Sequence, residues 1–240
     1  MTAPALAPDS SPHIAVRALS RRYVQGETAQ NVLVGASFSL ARGEIVALLG
    51  RSGSGKSTLL NLLSGIDLPD AGTVTIDGIE LGALDERQRT LFRRKHIGFI
   101  YQSFNLVPSL TAVENIALVL ELNGVGVADS LLQAQAALES AGLGSKTHQL
   151  PSRLSGGEQQ RVAILRALVH QPALVLADEP TGSLDAVSGG QMLSLLRDSL
   201  HAAGSTALLV THSLRVAQSA DRVLTLENGI VTERSGDFAW

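Results

Sequence analysis

Glu44-Ile45-Val46-Ala47-Leu48-Leu49-Gly50-Arg51-Ser52-Gly53-Ser54-Gly55-Lys56-Ser57-Thr58 is the stretch that decides the fold. The run Glu44 to Leu49 is apolar almost throughout, the pattern of a strand whose sheet is covered by helices on both faces. Gly50 closes the run, and a glycine-rich turn leads straight into the helical pattern Lys56 to Ser64. The turn fits G-x-x-x-x-G-K-[ST] from Gly50 to Ser57. Its glycines free the backbone to point N–H groups inward, and with the helix N-terminus they make a cradle for a polyphosphate. Gly50, Ser52, Gly53, Ser54 and Gly55 form that cradle. Lys56 is expected on the β and γ phosphates, Ser57 on Mg²⁺, and Thr58 as a support of the turn.

Outward from this unit, short β-like runs lie at Ile14 to Leu19, Val32 to Leu40, Thr73 to Asp77, Ile97 to Tyr101, Ala173 to Asp178, Thr206 to Thr211 and Arg222 to Glu227. Asp77-Gly78 and Asn228-Gly229 are turn dipeptides. Helical patterns separate the later runs, which predicts a mainly parallel sheet, while the β-rich first third predicts an antiparallel part. Between Leu106 and His170 three amphipathic segments replace the strands: Thr111 to Leu122, Asp129 to Ala141 and Ser155 to His170. The expected fold is α/β, a P-loop NTPase core with a mainly parallel sheet, an N-terminal antiparallel β part and an inserted helical subdomain at about 105–170. Residues 14–240 read as a single domain. Residues 1–13, rich in Ala, Pro and Ser and without the basic start of a signal peptide, read as a disordered extension.

Composition removes several functional classes. Lys plus Arg number 19 against 22 Asp plus Glu, and no basic block is present, so a nucleic-acid backbone is not an expected partner. The absence of cysteine excludes disulfides, thiolate metal sites and Cys nucleophiles together. The best candidate for a membrane span, Thr111 to Leu122, contains Glu114, Asn115 and Glu121 and is too short, so the chain itself is expected to be soluble.

Two further motifs carry chemistry. Ala173 to Ala177 is a buried-strand run that ends in Asp178-Glu179. Beside a polyphosphate cradle, Asp178 is placed to hold Mg²⁺ and Glu179 to polarise an attacking water as general base. Leu154-Ser155-Gly156-Gly157-Glu158-Gln159 also reads as a helix start, because Ser155 with Glu158 three residues on is a capping box. Two glycines in a first helical turn cost helix propensity, and they leave bare amides that suit close approach of a second phosphate.

With these motifs in place, the chain resembles the ABC ATPase family from about Tyr23 to Gly229. Tyr23 matches the aromatic that stacks on adenine, Gly50 to Ser57 the Walker A loop, and Gln102 the Q-loop glutamine, which can reach Mg²⁺ or the attacking water. Leu154 to Gln159 match the signature, Asp178 with Glu179 match Walker B and the catalytic carboxylate, Ser183-Leu184-Asp185 match the D-loop, and His212 matches the switch histidine near the γ phosphate. The other histidines, His13 among them, read as satisfied surface or core residues.

The resemblance implies ATP and Mg²⁺ as ligands. It implies a second, identical subunit whose Ser155, Gly156 and Gly157 close over this subunit's ATP, and Asp185 as a contact across the dimer. A separate transmembrane permease would hold the pair at the cytoplasmic face of the membrane. The segment Gln102 to Leu122, with Phe104 to Pro108 and Thr111 to Asn115, matches the place where the family's coupling-helix groove forms. Together with Ala177 to Asp185 it resembles the lipoprotein-release and macrolide-efflux branch, although polar-amino-acid importers carry comparable subunits. The alternative, a soluble ABC ATPase acting on nucleic acid or the ribosome, would usually bring zinc motifs, long coiled coils or a second cassette. None of these is visible.

Overall fold

The computed structural model describes residues 12–25, 28–182 and 186–234. In chain order the strands are β1 (Ile14–Gln25), β2 (Thr28–Leu40), β3 (Ile45–Leu49), β4 (Ala71–Ile76), β5 (Ile79–Glu80), β6 (Ile97–Ile100), β7 (Leu174–Asp178), β8 (Thr206–Thr211), β9 (Arg222–Glu227) and β10 (Ile230–Glu233). The helices are α1 (Lys56–Leu63), α2 (Glu86–His96), α3 (Ala112–Leu122), α4 (Val127–Ser140), α5 (Gly156–Leu168), α6 (Ala186–Ala203) and α7 (Leu214–Ala217).

Two sheets divide these strands. One runs β2-β1-β4-β5 with antiparallel pairing throughout, and the other runs β10-β9-β3-β8-β7-β6. In the second sheet every neighbour is parallel except β10, which turns back on β9 through Asn228 and Gly229, both at positive φ. The same left-handed pair, Asp77 and Gly78, closes the β4–β5 hairpin, so both dipeptides behave as type I′ turn residues. The fold is therefore the expected α/β core with an antiparallel part.

Alternation along the strands builds two apolar layers. Val46, Leu48, Leu208 and Leu224 face the first sheet and α1, where Ile14, Leu19, Leu33, Leu59 and Leu63 meet them. Ile45, Val175, Ala207 and Leu209 face α5 and α6, against Ile164, Ala167, Leu196 and Leu200. A separate cluster of Val113, Ile116, Ala134, Leu138 and Val162 joins α3, α4 and α5.

Register then positions the chemistry. Leu49 lies opposite Thr211, Asp178 opposite Val210 and Ile100 opposite Ala177. Because β3, β6, β7 and β8 are parallel, the segments that follow them all leave the same edge of the sheet, the place where open α/β sheets gather ligands.

The structure corrects three expectations. His13 is buried, not part of a disordered extension: its ring bonds Asp77 Oδ1 at 2.6 Å and the carbonyl of Ala173 at 2.8 Å, tying the start of β1 to both sheets. The β1–β2 arms run well beyond the predicted runs, through polar residues that expose one face. Helix α2, which buries only Phe92, has no apolar periodicity to betray it. Ser183, Leu184 and Asp185 lie outside the described residues.

Candidate functional site

At that edge, Tyr23, Gln30, Val32, Arg51 to Gly53, Gly55 to Thr58, Gln102, Asp178, Glu179 and His212 line one cleft of about 870 Å³. Gly55 sits at φ 103 as the cap of α1, and a Cβ there would lie 2.7 Å from Val32 Cγ1 and 3.0 Å from its carbonyl oxygen. Only glycine fits this position. Gly53 also has positive φ, with open space around it, as expected of a backbone that must receive something large. Lys56 Nζ donates to the carbonyls of Gly50 at 2.8 Å and Arg51 at 2.9 Å, so its ammonium is held at the rim of its own loop. Ser54, expected in the cradle, has a buried hydroxyl with no partner among the described residues.

Across the cleft, Asp178 ends β7 half-buried. Burial raises its carboxyl above the ordinary value, the neighbouring Glu179 adds to the rise, and Lys56 opposes it. Glu179 follows at φ 46, in the left-handed region. Its Oε2 accepts from the Thr211 hydroxyl at 2.9 Å, and its Oε1 accepts from the His212 backbone N–H at 3.0 Å and pairs with His212 Nδ1 at 2.6 Å. The carboxylate is 13% exposed and the imidazole 71%, so the pair presents a sheltered acid and an open ring.

Gln102 is exposed, and its amide packs over Gly182, where a Cβ would meet Nε2 at 3.0 Å. Tyr23 donates its hydroxyl to Asp67 Oδ2 at 3.0 Å and receives the Arg21 guanidinium 4.9 Å over its ring. A flat ring anchored at its tip is a platform for a nucleobase.

Ser155, Gly156 and Gly157 do not line this cleft. Ser155 caps α5 as expected: its hydroxyl accepts from Glu158 N at 3.3 Å, and its own N–H donates to Glu158 Oε2 at 2.8 Å. A Cβ on Gly157 would meet nothing within 4 Å, so no packing inside this chain calls for a glycine there.

Sequence reading missed Thr211, which holds Glu179, along with Gln30 and Val32 on the cleft wall. Their positions in strands gave no motif to read. Among the described residues no group of three or more His, Asp or Glu is arranged to hold a metal. The donor set present, one carboxylate with a Ser57 hydroxyl beside a phosphate cradle, suits Mg²⁺, which keeps several waters and takes its other ligands from phosphates.

Comparison with known proteins agrees with this geometry. The ABC transporter family model matches residues 33–182. An uncharacterised ABC transporter ATP-binding protein of Mycobacterium tuberculosis is 50% identical, covering 91% of this chain and 88% of that protein. The lipoprotein-releasing system ATP-binding protein LolD of Shewanella frigidimarina is 43% identical over 90% of each chain. A macrolide export ATP-binding/permease protein of Aeromonas hydrophila is also 43% identical, but 95% of this chain covers only 35% of it. Among solved structures, a dimeric post-hydrolysis ATP-binding cassette, MJ0796 bound to ADP and Pi, superposes with a TM-score of 0.83 at 38% identity, covering 92% of this chain and 97% of that one.

Proposed function

This chain belongs to the ABC transporter family, and from that membership we propose how its residues divide the work of an ATP-hydrolysing transporter subunit. The observation that carries the assignment is the cleft in which Tyr23, Arg51 to Gly53, Gly55 to Ser57, Gln102, Asp178, Glu179 and His212 meet, although they are spread over most of the sequence.

ATP enters with its adenine on Tyr23 and its phosphates on the amides of the Gly50–Ser57 loop and the start of α1. Lys56 exchanges its two loop carbonyls for β and γ phosphate oxygens. Asp178, Ser57 and the Gln102 amide are the proposed holders of Mg²⁺, which when bound neutralises charge on the β and γ oxygens. The buried Asp178 carboxyl beside Glu179 suits this role, since a cation next to it would offset the cost of keeping its charge there.

Glu179 orients the attacking water and takes its proton on the carboxylate as the oxygen adds to the γ phosphorus. The bond to the bridging oxygen then breaks and ADP departs with that electron pair. Thr211 and His212 N fix the Glu179 carboxylate, and His212, whose Nδ1 is engaged, keeps Nε2 at its exposed end for the γ phosphate.

Ser155, Gly156 and Gly157 serve the other subunit's nucleotide. The glycine at 157 has no internal cause, and the start of α5 with its bare amides lies outside this chain's own cleft. Two identical chains would thus build two composite sites, closed by ATP and released by hydrolysis. The relatives' names favour a transporter subunit over an ABC ATPase acting on nucleic acid or the ribosome, and we assign the lipoprotein-release or macrolide-export type, an exporter or force transmitter. No helix among the described residues is long and apolar enough to cross a membrane. A separate permease is the proposed anchor to the cytoplasmic face, on the model of the lipoprotein-releasing ATP-binding relative. The segment Gln102 to Glu114 is its proposed contact.

Glu179→Gln tests the assignment. The variant should bind ATP with unchanged affinity, lose turnover by at least about a hundredfold as expected of a general base, and accumulate as an ATP-bound dimer in size-exclusion chromatography. Wild-type hydrolysis by the purified variant would refute the role of Glu179.

A further inference from the structure

Helix α5 grips the two loops that carry Gln102 and Glu179. Gln160, one turn into the helix, is fully buried, and its Nε2 donates at 2.8 Å to the carbonyl of Pro180, the residue after Glu179. A carbonyl can only accept, so the amide must turn its nitrogen toward Pro180. Its Oε1 is left without a partner among the described residues. A buried acceptor left unpaired costs free energy.

Two turns further on, Arg166 forks onto the other loop. Its Nη1 donates to the Asn105 carbonyl at 2.6 Å and its Nη2 to the Phe104 carbonyl at 3.0 Å. Phe104 and Asn105 are both left-handed, at φ 62 and 50, a conformation that a bulky residue such as Phe holds only when its surroundings impose it. Just past the second grip the helix lies directly on β6, the strand that leads to Gln102: a Cβ on Gly98 would sit 2.2 Å from the Ala167 carbonyl oxygen.

We propose that Gln160 and Arg166 are positioning residues for hydrolysis, through which α5 sets the Glu179 turn and the Gln102 loop together. This rests on the reading of Glu179 and Gln102 given above, and goes beyond it by making the helix that opens with Ser155 and Gly156 a rigid link. Whatever closes on its N-terminus is felt at the water-activating side of the same subunit. A nucleotide held by one subunit then governs the catalytic geometry of the other.

The test uses the full-length protein with Gln160→Met, which keeps the side chain's length and apolar fit but loses the donor, and with Arg166→Ala and Arg166→Lys. In Gln160→Met and Arg166→Ala, kcat should fall by roughly tenfold, the scale of one lost positioning hydrogen bond, while the Kd for a fluorescent ATP analogue stays within about twofold. Arg166→Lys should recover part of the loss by reaching one of the two carbonyls. Gln160→Met should melt within about 4 °C of the parent, a small shift for a chain of this size. A purely structural role would instead lower the melting temperature and the affinity together, and that outcome overturns the proposal. Wild-type kcat in both folded variants overturns it as well. Glu179→Gln, measured alongside, separates the two levels: if it is inactive while the α5 variants turn over normally, only the positioning role falls.

Discussion

At the end of β7, a charge sits where folding alone would not put one. The carboxyl of Asp178 is raised by burial and then by Glu179, with Lys56 pulling the other way. A folded acid with a raised pKa binds its proton more tightly than the unfolded chain does. Stability contributed by this residue is therefore lost as pH rises from the ordinary value of 3.8 through the shifted one. Asp178→Asn should accordingly raise the melting temperature of the nucleotide-free protein by roughly 2 °C, a modest shift because the group is half solvated, while abolishing stabilisation by Mg-ATP. Thermal unfolding with and without Mg-ATP reads both arms, and a lower melting temperature without nucleotide would contradict the argument. Asp178 and Glu179 were legible because an apolar run ending in two acids is visible along the sequence. Thr211, Gln160 and Arg166 were not, since each acts on a partner at least 20 residues away, and no periodicity encodes the pairing.

Elements differ in how loudly they announce themselves. β3 and α1 follow from one uninterrupted pattern, and the Asn228-Gly229 turn from its dipeptide, because the physical cause of each lies within a few neighbouring residues. Helix α2 is charged on most of its surface, and its readable signal was its start: Asp85 and Gln88 form a reciprocal capping box. The seam between β6 and α5 was illegible, because Gly98 in a strand looks like a weak strand residue until the Ala167 carbonyl is seen against it. Gly98→Ala should force the strand and helix apart and destabilise the protein by about 2 kcal/mol, the usual cost of overpacking a close contact. Urea unfolding should report this as a lower midpoint with an unchanged slope. An unchanged midpoint would mean that the seam opens at no cost.

On the scale of the whole molecule, a composite site predicts complementation. Ser155→Arg damages the signature side and Lys56→Ala the loop side, so each homodimer carries two damaged sites, while a mixed dimer carries one doubly damaged and one intact. Mixing the two inactive proteins should restore ATPase activity, at most about half of the parental rate per mixed dimer if the sites act independently. Wild-type, concentration-independent turnover by Ser155→Arg protein alone would reduce the signature to a helix cap. The strand order has one more consequence. β3, which carries the phosphate loop, is bordered in its sheet by β8 and β9, strands made from residues 206–211 and 222–227. During synthesis, which runs from the N-terminus, the loop has been made long before its strand can acquire a neighbour on either side. A growing chain is therefore unable to hold nucleotide until residues 206–227 have left the ribosome, about 150 residues after the loop itself, so ATP binding reports the closing of the sheet and not the making of the loop.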